Sequence, residues 1–210
     1  MKGDLVVVVA DGGIEQAIRG ILSRHASLGI RPLKQVDCPK FRALDSGTYL
    51  RGSELAAAYL ETHEHASIVF DLEWEGRPSD NPAILEQTVE TSLAAQWGTR
   101  GRCVVINPEL EAWVWSDSPH VATGLGWDTM PELKAWLIAG GLWNSCDSKP
   151  LDPKAAYLAA ISEKRVQQSN ATFRALAEKV GLQRCQDRSF QRLVNILQAW
   201  FRTPQPMHDP

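Results

Sequence analysis

Acidic residues recur in this sequence just where short apolar runs stop. Asp11 and Glu15 follow the run Asp4–Ala10; Asp71, Glu73 and Glu75 follow Ala66–Phe70; Glu109 and Glu111 follow Arg102–Ile106. Carboxylates crowded together repel, and each is costly to ionise beside another unless a cation compensates. Hard divalent cations such as Mg2+ or Mn2+ take oxygen ligands and keep positions for water and phosphate. A metal held this way polarises a phosphoryl oxygen and activates water, so the chemistry such a set would serve is phosphodiester cleavage or transfer. Taken singly, each acid is better read as a helix cap, a first-turn residue or a solvated loop residue than as a metal ligand. The argument for a site is the recurrence behind three runs, with Asp11, Asp71 and Glu73 ranked first. Glu15 and Glu111 come next, Glu75 and Glu109 last. Phosphoryl chemistry also calls for a cation facing the charge that develops in the transition state. Lys149 and Lys154, in SKPLDPKAA, are the candidates, with Arg77 behind them.

The elements that must position these groups follow from the patterning. The run DLVVVVA is apolar on both alternating faces, as a strand buried in a parallel sheet would be, and Asp-Gly-Gly ends it. Ile14, Ala17, Ile18, Ile21 and Leu22 then recur at helical spacing. The stretch from about Gly29 to Gly52 contains Pro32, Pro39 and Gly47 and reads as irregular, with basic residues Arg31, Lys34, Lys40, Arg42 and Arg51 scattered along it. A helix is expected from Ser53 to His63, a strand over Ala66–Phe70, a helix from Ala83 to Trp97 and a strand over Arg102–Ile106. Glu109–Trp115 looks helical, and further helices are expected at Met130–Ala139, Pro153–Glu163, Asn170–Val180 and Ser189–Phe201. Alternation of strand and helix implies an α/β fold, a mostly parallel, Rossmann-like sheet flanked by helices, with a helical C-terminal part. In such sheets ligands bind beyond the carboxyl ends of the strands, where the acids fall. Residues 1–202 read as one domain and 203–210 as a loose tail.

Composition narrows the function. A net charge of −3 offers no global basic footprint for nucleic acid, so any phosphate must be held by a local cation or a metal. The apolar start is too short for a signal peptide or a membrane span, and the four cysteines form no CxxC pair, so a cytoplasmic protein with reduced thiols and no membrane association is expected. Each cysteine reads as a small buried apolar residue. There is no GxxxxGK[ST], no GxGxxG at the first turn, no GxSxG and no HExxH. His63 and His65 read as surface residues. The eight tryptophans, crowded in the middle third, read as packing material rather than base-stacking platforms, with Trp74 between two acids as the one expected to be exposed.

Four segments carry a family resemblance. VVVVADGGIEQAIRGIL resembles the first Toprim motif, an apolar strand followed by an acid, a glycine and a further acid. Asp71-Leu72-Glu73 is similar to the Toprim Asp-x-Asp motif. INPELEAWVW resembles the segment that follows in small bacterial Toprim-like proteins and in the nuclease domains of overcoming-lysogenization-defect proteins, and the late segment LAEKVGLQRCQDRSFQRLVNILQAWF resembles the C-terminal part of those small proteins. The resemblance implies metal-dependent cleavage of nucleic acid. Asp11 would match the general-base glutamate, which also binds metal, and Asp71 with Glu73 the metal-binding pair. Glu109 and Glu111 would match the extra acids of the nuclease branch. It further implies an ABC-type ATPase partner in anti-phage defence. Asp11 stands where Glu is usual and Glu73 where Asp is usual, which changes reach without changing charge. Two alternatives follow: a degenerate module that binds and regulates the ATPase, and a metal-dependent phosphohydrolase acting on a small nucleotide.

Overall fold

The computed structural model describes residues 2–40, 44–181 and 185–203. Its centre is a four-stranded, wholly parallel sheet: β1 (Gly3–Val9), β2 (Val36–Asp37), β3 (His63–Asp71) and β4 (Gly101–Ile106), in the order β2-β1-β3-β4. The register sets Val9 beside Val69 and Asp71 beside Ile106. Every residue of β1 is buried, as expected of an apolar run covered on both faces. The fold is the expected Rossmann-like α/β arrangement with a helical C-terminal part.

Nine helices are present among the described residues. After β1 comes α1 (Gly12–Leu22), then the single turn α2 (His25–Leu28). Next are α3 (Leu44–Ala57) and α4 (Pro82–Trp97), which pack against each other and against the central strands. Beyond β4 lie a 3-10 turn at Leu110–Trp113, then α5 (Pro119–Gly124), α6 (Met130–Ala139), α7 (Pro153–Glu163), α8 (Asn170–Lys179) and α9 (Arg188–Phe201). α8 lies along α1, and α9 along β4. The helix starts follow local chemistry. Asp11, Asn81, Thr129, Asp152, Ser169 and Asp187 each accept a backbone N–H of the first turn, and proline follows the cap in α4 and α7.

Several expectations need correction. The helix placed at Ser53–His63 runs from Leu44 to Ala57, so the supposedly irregular stretch contains β2 and most of α3. Gly47 and Gly52 do not break this helix; they are buried in it. A Cβ on Gly52 would stand 3.1 Å from the Ile68 side chain, so glycine lets α3 lie close on β3. Residues 58–62 form turns, and His63 belongs to β3, 1% exposed, with its Nε2 3.1 Å from Asp37. His65 is on the same strand, half-buried against Trp200 and Phe201, so neither histidine is a surface residue. Glu109–Trp115 holds a 3-10 turn rather than an α-helix. Cys146 is exposed, whereas Cys38, Cys103 and Cys185 are buried as expected. Residues 204–210 of the tail, and Arg42 of the basic scatter, lie outside the described residues.

The tryptophans are packing residues. Trp113 donates to Ser189 Oγ, Trp115 to the Pro153 carbonyl, Trp127 to the Ala160 carbonyl and Trp143 to the Asp147 carbonyl. Each buries a large apolar body while its one polar atom is satisfied. Trp74 is half-buried rather than exposed, its ring 5.6 Å from that of Tyr49. No helix among the described residues is long and apolar enough to cross a membrane.

Candidate functional site: a carboxylate rim

The carboxyl ends of β1, β3 and β4 stand side by side, and four of the acids that follow them, Asp11, Asp71, Glu109 and Glu111, lie close enough to act on one another's charge. Asp11 caps α1, its Oδ1 accepting the Ile14 N–H at 2.8 Å. Gly13, two residues on, is buried where a Cβ would press on Leu110 at 3.2 Å and on Asp11 Oδ1 at 3.3 Å. Its missing side chain lets the turn bearing Glu111 close against the end of β1. Asp71, the last residue of β3, is only 8% exposed, and its Oδ1 is buried with no hydrogen-bond partner. Behind the cis Asn107–Pro108 bond, the Pro108 carbonyl accepts from both Leu72 and Glu73 N–H, at 3.1 Å each, and ties the β3 and β4 termini together. Glu111 is buried in the 3-10 turn that follows, with half-buried Glu109 just before it.

A fifth carboxylate joins them that the sequence reading did not find. Asp45, in the first turn of α3, accepts the Asp71 backbone N–H at 2.9 Å. It was missed because the start of α3 fell inside the stretch read as irregular. The available signal was an acid preceding a Ser-Gly-Thr sequence that continues at helical spacing into Leu55 and Ala56.

The electrostatics record the crowding. Burial, and then the charges of Asp45, Asp11 and Glu111, push the Asp71 carboxyl well above the usual range, against a backbone hydrogen bond from Leu110. Burial likewise raises Asp45, with Asp11 and Glu109 adding to the effect. Burial raises Glu111 too, where Lys154 opposes the shift and Glu109 and Asp11 reinforce it. Lys154, at the start of α7, is the cation of this group. Its Nζ lies 2.5 Å from Glu109 Oε1, and that bond, followed by the charges of Glu109, Glu111 and Asp71, raises its own pKa above the ordinary lysine value.

The remaining candidates are held elsewhere. Glu15 is bound by Arg19 at 3.0 Å and Lys40 at 2.8 Å; burial alone would raise its pKa, but these two partners hold it below the usual value. Glu73 is 52% exposed and pairs with Arg77 at 3.0 Å, so the Asp71-Leu72-Glu73 segment contributes one carboxylate to the rim, not two. Glu75 is exposed, and Arg77 is occupied by Glu73 and Asp80. Lys149 is a structural residue: it donates to the Ala112 carbonyl at 2.7 Å and pairs with Asp187 at 2.9 Å. Of the two lysines, Lys154 is paired with a rim carboxylate, Glu109, and Lys149 with Asp187.

The donors suit a hard cation, since all are oxygens and one, on Asp71, is buried without a partner. In the conformation described, no group of three or more His, Cys, Asp or Glu among the described residues is placed to hold a metal ion. Coordination therefore requires the carboxylates to turn toward a common point, with Glu109 leaving Lys154. Comparison with known protein families, with curated proteins and with solved structures finds no match to this chain.

Proposed function

We propose that the protein is a Toprim-like subunit that cleaves phosphodiester bonds in nucleic acid with Mg2+ or Mn2+, working with an ABC-type ATPase in anti-phage defence. One observation carries the metal-dependent part: a nine-tenths buried aspartate, Asp71, with an unpartnered carboxylate oxygen beside three other carboxylates, Asp45, Asp11 and Glu111. An ionised group in such surroundings is strongly disfavoured and keeps its proton, and a divalent cation is the ligand that lets it ionise without that penalty. The nucleic-acid substrate and the ATPase partner come from the resemblance of the motifs around Asp11, Asp71 and Glu111.

Asp71, Asp11 and Glu111 would hold the ion together with Glu109 drawn off Lys154, and Asp45 would fix the Asp71 backbone through its hydrogen bond. Bound there, the ion would polarise a phosphoryl oxygen and lower the pKa of a water. The proximity of Asp11 to this group suits it to accept a proton from that water. Lys154 stands on the same rim, where its ammonium can meet phosphate charge. Incubating the protein with single- and double-stranded DNA and RNA plus Mn2+ tests the reading. Cleavage should occur, stop with EDTA and fall by at least about a hundredfold in Asp71→Asn, the scale of losing one key electrostatic group. Cleavage persisting in Asp71→Asn would overturn it.

A second reading is favoured by Glu73 facing Arg77 and by the absence of a preformed metal triad among the described residues. In it the chain keeps the fold and binds the ATPase as a regulator, without chemistry of its own. Stable co-purification with the ATPase, together with no heat of Mn2+ binding, is the outcome that would select it.

A further inference from the structure

We propose that the Lys154 ammonium is the built-in counter-cation of the carboxylate rim, and that a divalent metal ion binds by displacing it. The inference rests on the metal-binding reading of this rim and adds what controls it. Among the described residues, Lys154 is the only Lys, Arg or His in an ion pair with Asp11, Asp45, Asp71, Glu109 or Glu111.

Its position is enforced from behind. Asp152 caps α7 by accepting the Ala155 N–H at 2.9 Å, and Pro153 follows the cap. The Trp115 indole, itself buried, donates to the Pro153 carbonyl at 2.9 Å and fixes the first turn of α7 against the segment after β4. Lys154 is therefore launched toward Glu109 by a rigid base. The side chain itself is 46% exposed, so its head can leave into water without unpacking anything. Lys149, five residues earlier, is the counterexample: its amine has two protein acceptors and is not free to exchange.

The ammonium does only part of a metal ion's work. It carries one charge, meets one carboxylate directly and leaves Asp71 Oδ1 without a partner. A divalent ion carries twice the charge and accepts several oxygens at once. Ion and ammonium compete for Glu109 and for the field of Glu111 and Asp71, so the apparent metal affinity is set below its intrinsic value by the lysine. The lysine thereby keeps the metal-free rim folded and makes loading conditional on metal concentration.

The test is Mn2+ alone, titrated calorimetrically into the full chain as wild type, Lys154→Met and Lys154→Arg. The expected result is Mn2+ affinity about tenfold higher in Lys154→Met, the scale of removing one neighbouring like charge from an ionised site. Lys154→Arg, which keeps the charge, should stay within about threefold of wild type. In EDTA, Lys154→Met should melt about 2–4 °C below wild type, and saturating Mn2+ should erase that difference. Mn2+ affinity unchanged or weaker in Lys154→Met would overturn the counter-cation role while leaving the metal site standing. No Mn2+ binding by any of the three proteins would overturn the metal site and this inference together.

Discussion

Along the outer edge of β4, two carboxylates from α4 are each answered by an arginine from α9. Glu86, 2% exposed, pairs with Arg188 at 2.9 Å and Arg192 at 3.2 Å, and accepts the Val105 N–H. Glu90 pairs with Arg192 at 2.6 Å and accepts the Cys103 N–H, while Arg192 also donates to the Cys103 carbonyl. The network occupies backbone groups that an edge strand would otherwise offer to another chain. At the carboxyl rim of the same sheet, Lys154 is the one cation among the described residues that is ion-paired with any of the five carboxylates, and one buried oxygen has no partner. A fold that matches acids to arginines a short way along the strand has left the rim under-compensated. The edge is built for stability; on the function proposed above, the rim takes a cation brought from outside.

Substitutions in the two regions should therefore act with opposite sign. The largest effect is expected at the edge. Glu86→Ala leaves Val105 N–H and two arginines short of a partner and should cost about 3–5 kcal/mol in chemical denaturation, without altering Mn2+ affinity. Lys149→Met, which removes the link between Ala112 and Asp187, should cost about 1–2 kcal/mol and also leave Mn2+ affinity unchanged. A loss of metal binding in Lys149→Met would show that the rim depends on Lys149 as well as Lys154.

Asp71→Asn should do the reverse: abolish Mn2+ binding yet raise metal-free stability by on the order of 1 kcal/mol above neutral pH. The sign follows from the direction of the shift. Burial, then the neighbouring acids, raise the Asp71 pKa in the folded state above its unfolded value. The folded protein keeps a proton that the unfolded chain has released, so stability falls as pH rises from the ordinary carboxylate range through the raised value. The advantage of asparagine should be absent at about pH 3, below both values, and full above the folded-state one. An Asp71→Asn protein less stable than wild type at pH 8 would break the comparison. The smallest effect belongs to Glu73→Gln, exposed and paired only on the surface: a change within about 0.5 kcal/mol and no change in Mn2+ affinity.

Much of the scaffold was legible because its signals are local. The β-branched runs of β1, β3 and β4 stop at Asp-Gly, at Asp71 and at Asn-Pro, and most of the long helices carry a side-chain cap. The parallel order of three adjacent strands then places Asp11, Asp71 and Glu111 together without further information. α3 was not legible, because Gly47 reads as a breaker and Gly52 as the end of the irregular stretch until Ile68 is seen beneath Gly52, and Asp45 was lost with it. Glu73 misled because motif spacing does not say where the chain turns. Leu72 and Glu73 N–H both go to Pro108, and beyond that point the side chain faces Arg77. Lys149 and Lys154 stand five residues apart in one short stretch of sequence, SKPLDPKAA. Only the tertiary anchor from Trp115 to Pro153 decides which of them reaches the acids.

The most direct test of the central claim is crystallographic: crystals grown with Mn2+ and measured for its anomalous signal. The account predicts a peak about 2.1 Å from Asp71 Oδ1, the metal–oxygen distance of a hard cation, with Asp11 or Glu111 among its other ligands and Lys154 moved off Glu109. An occupied Mn2+ site elsewhere, with Asp71 Oδ1 still unpartnered and Lys154 still on Glu109, would contradict it.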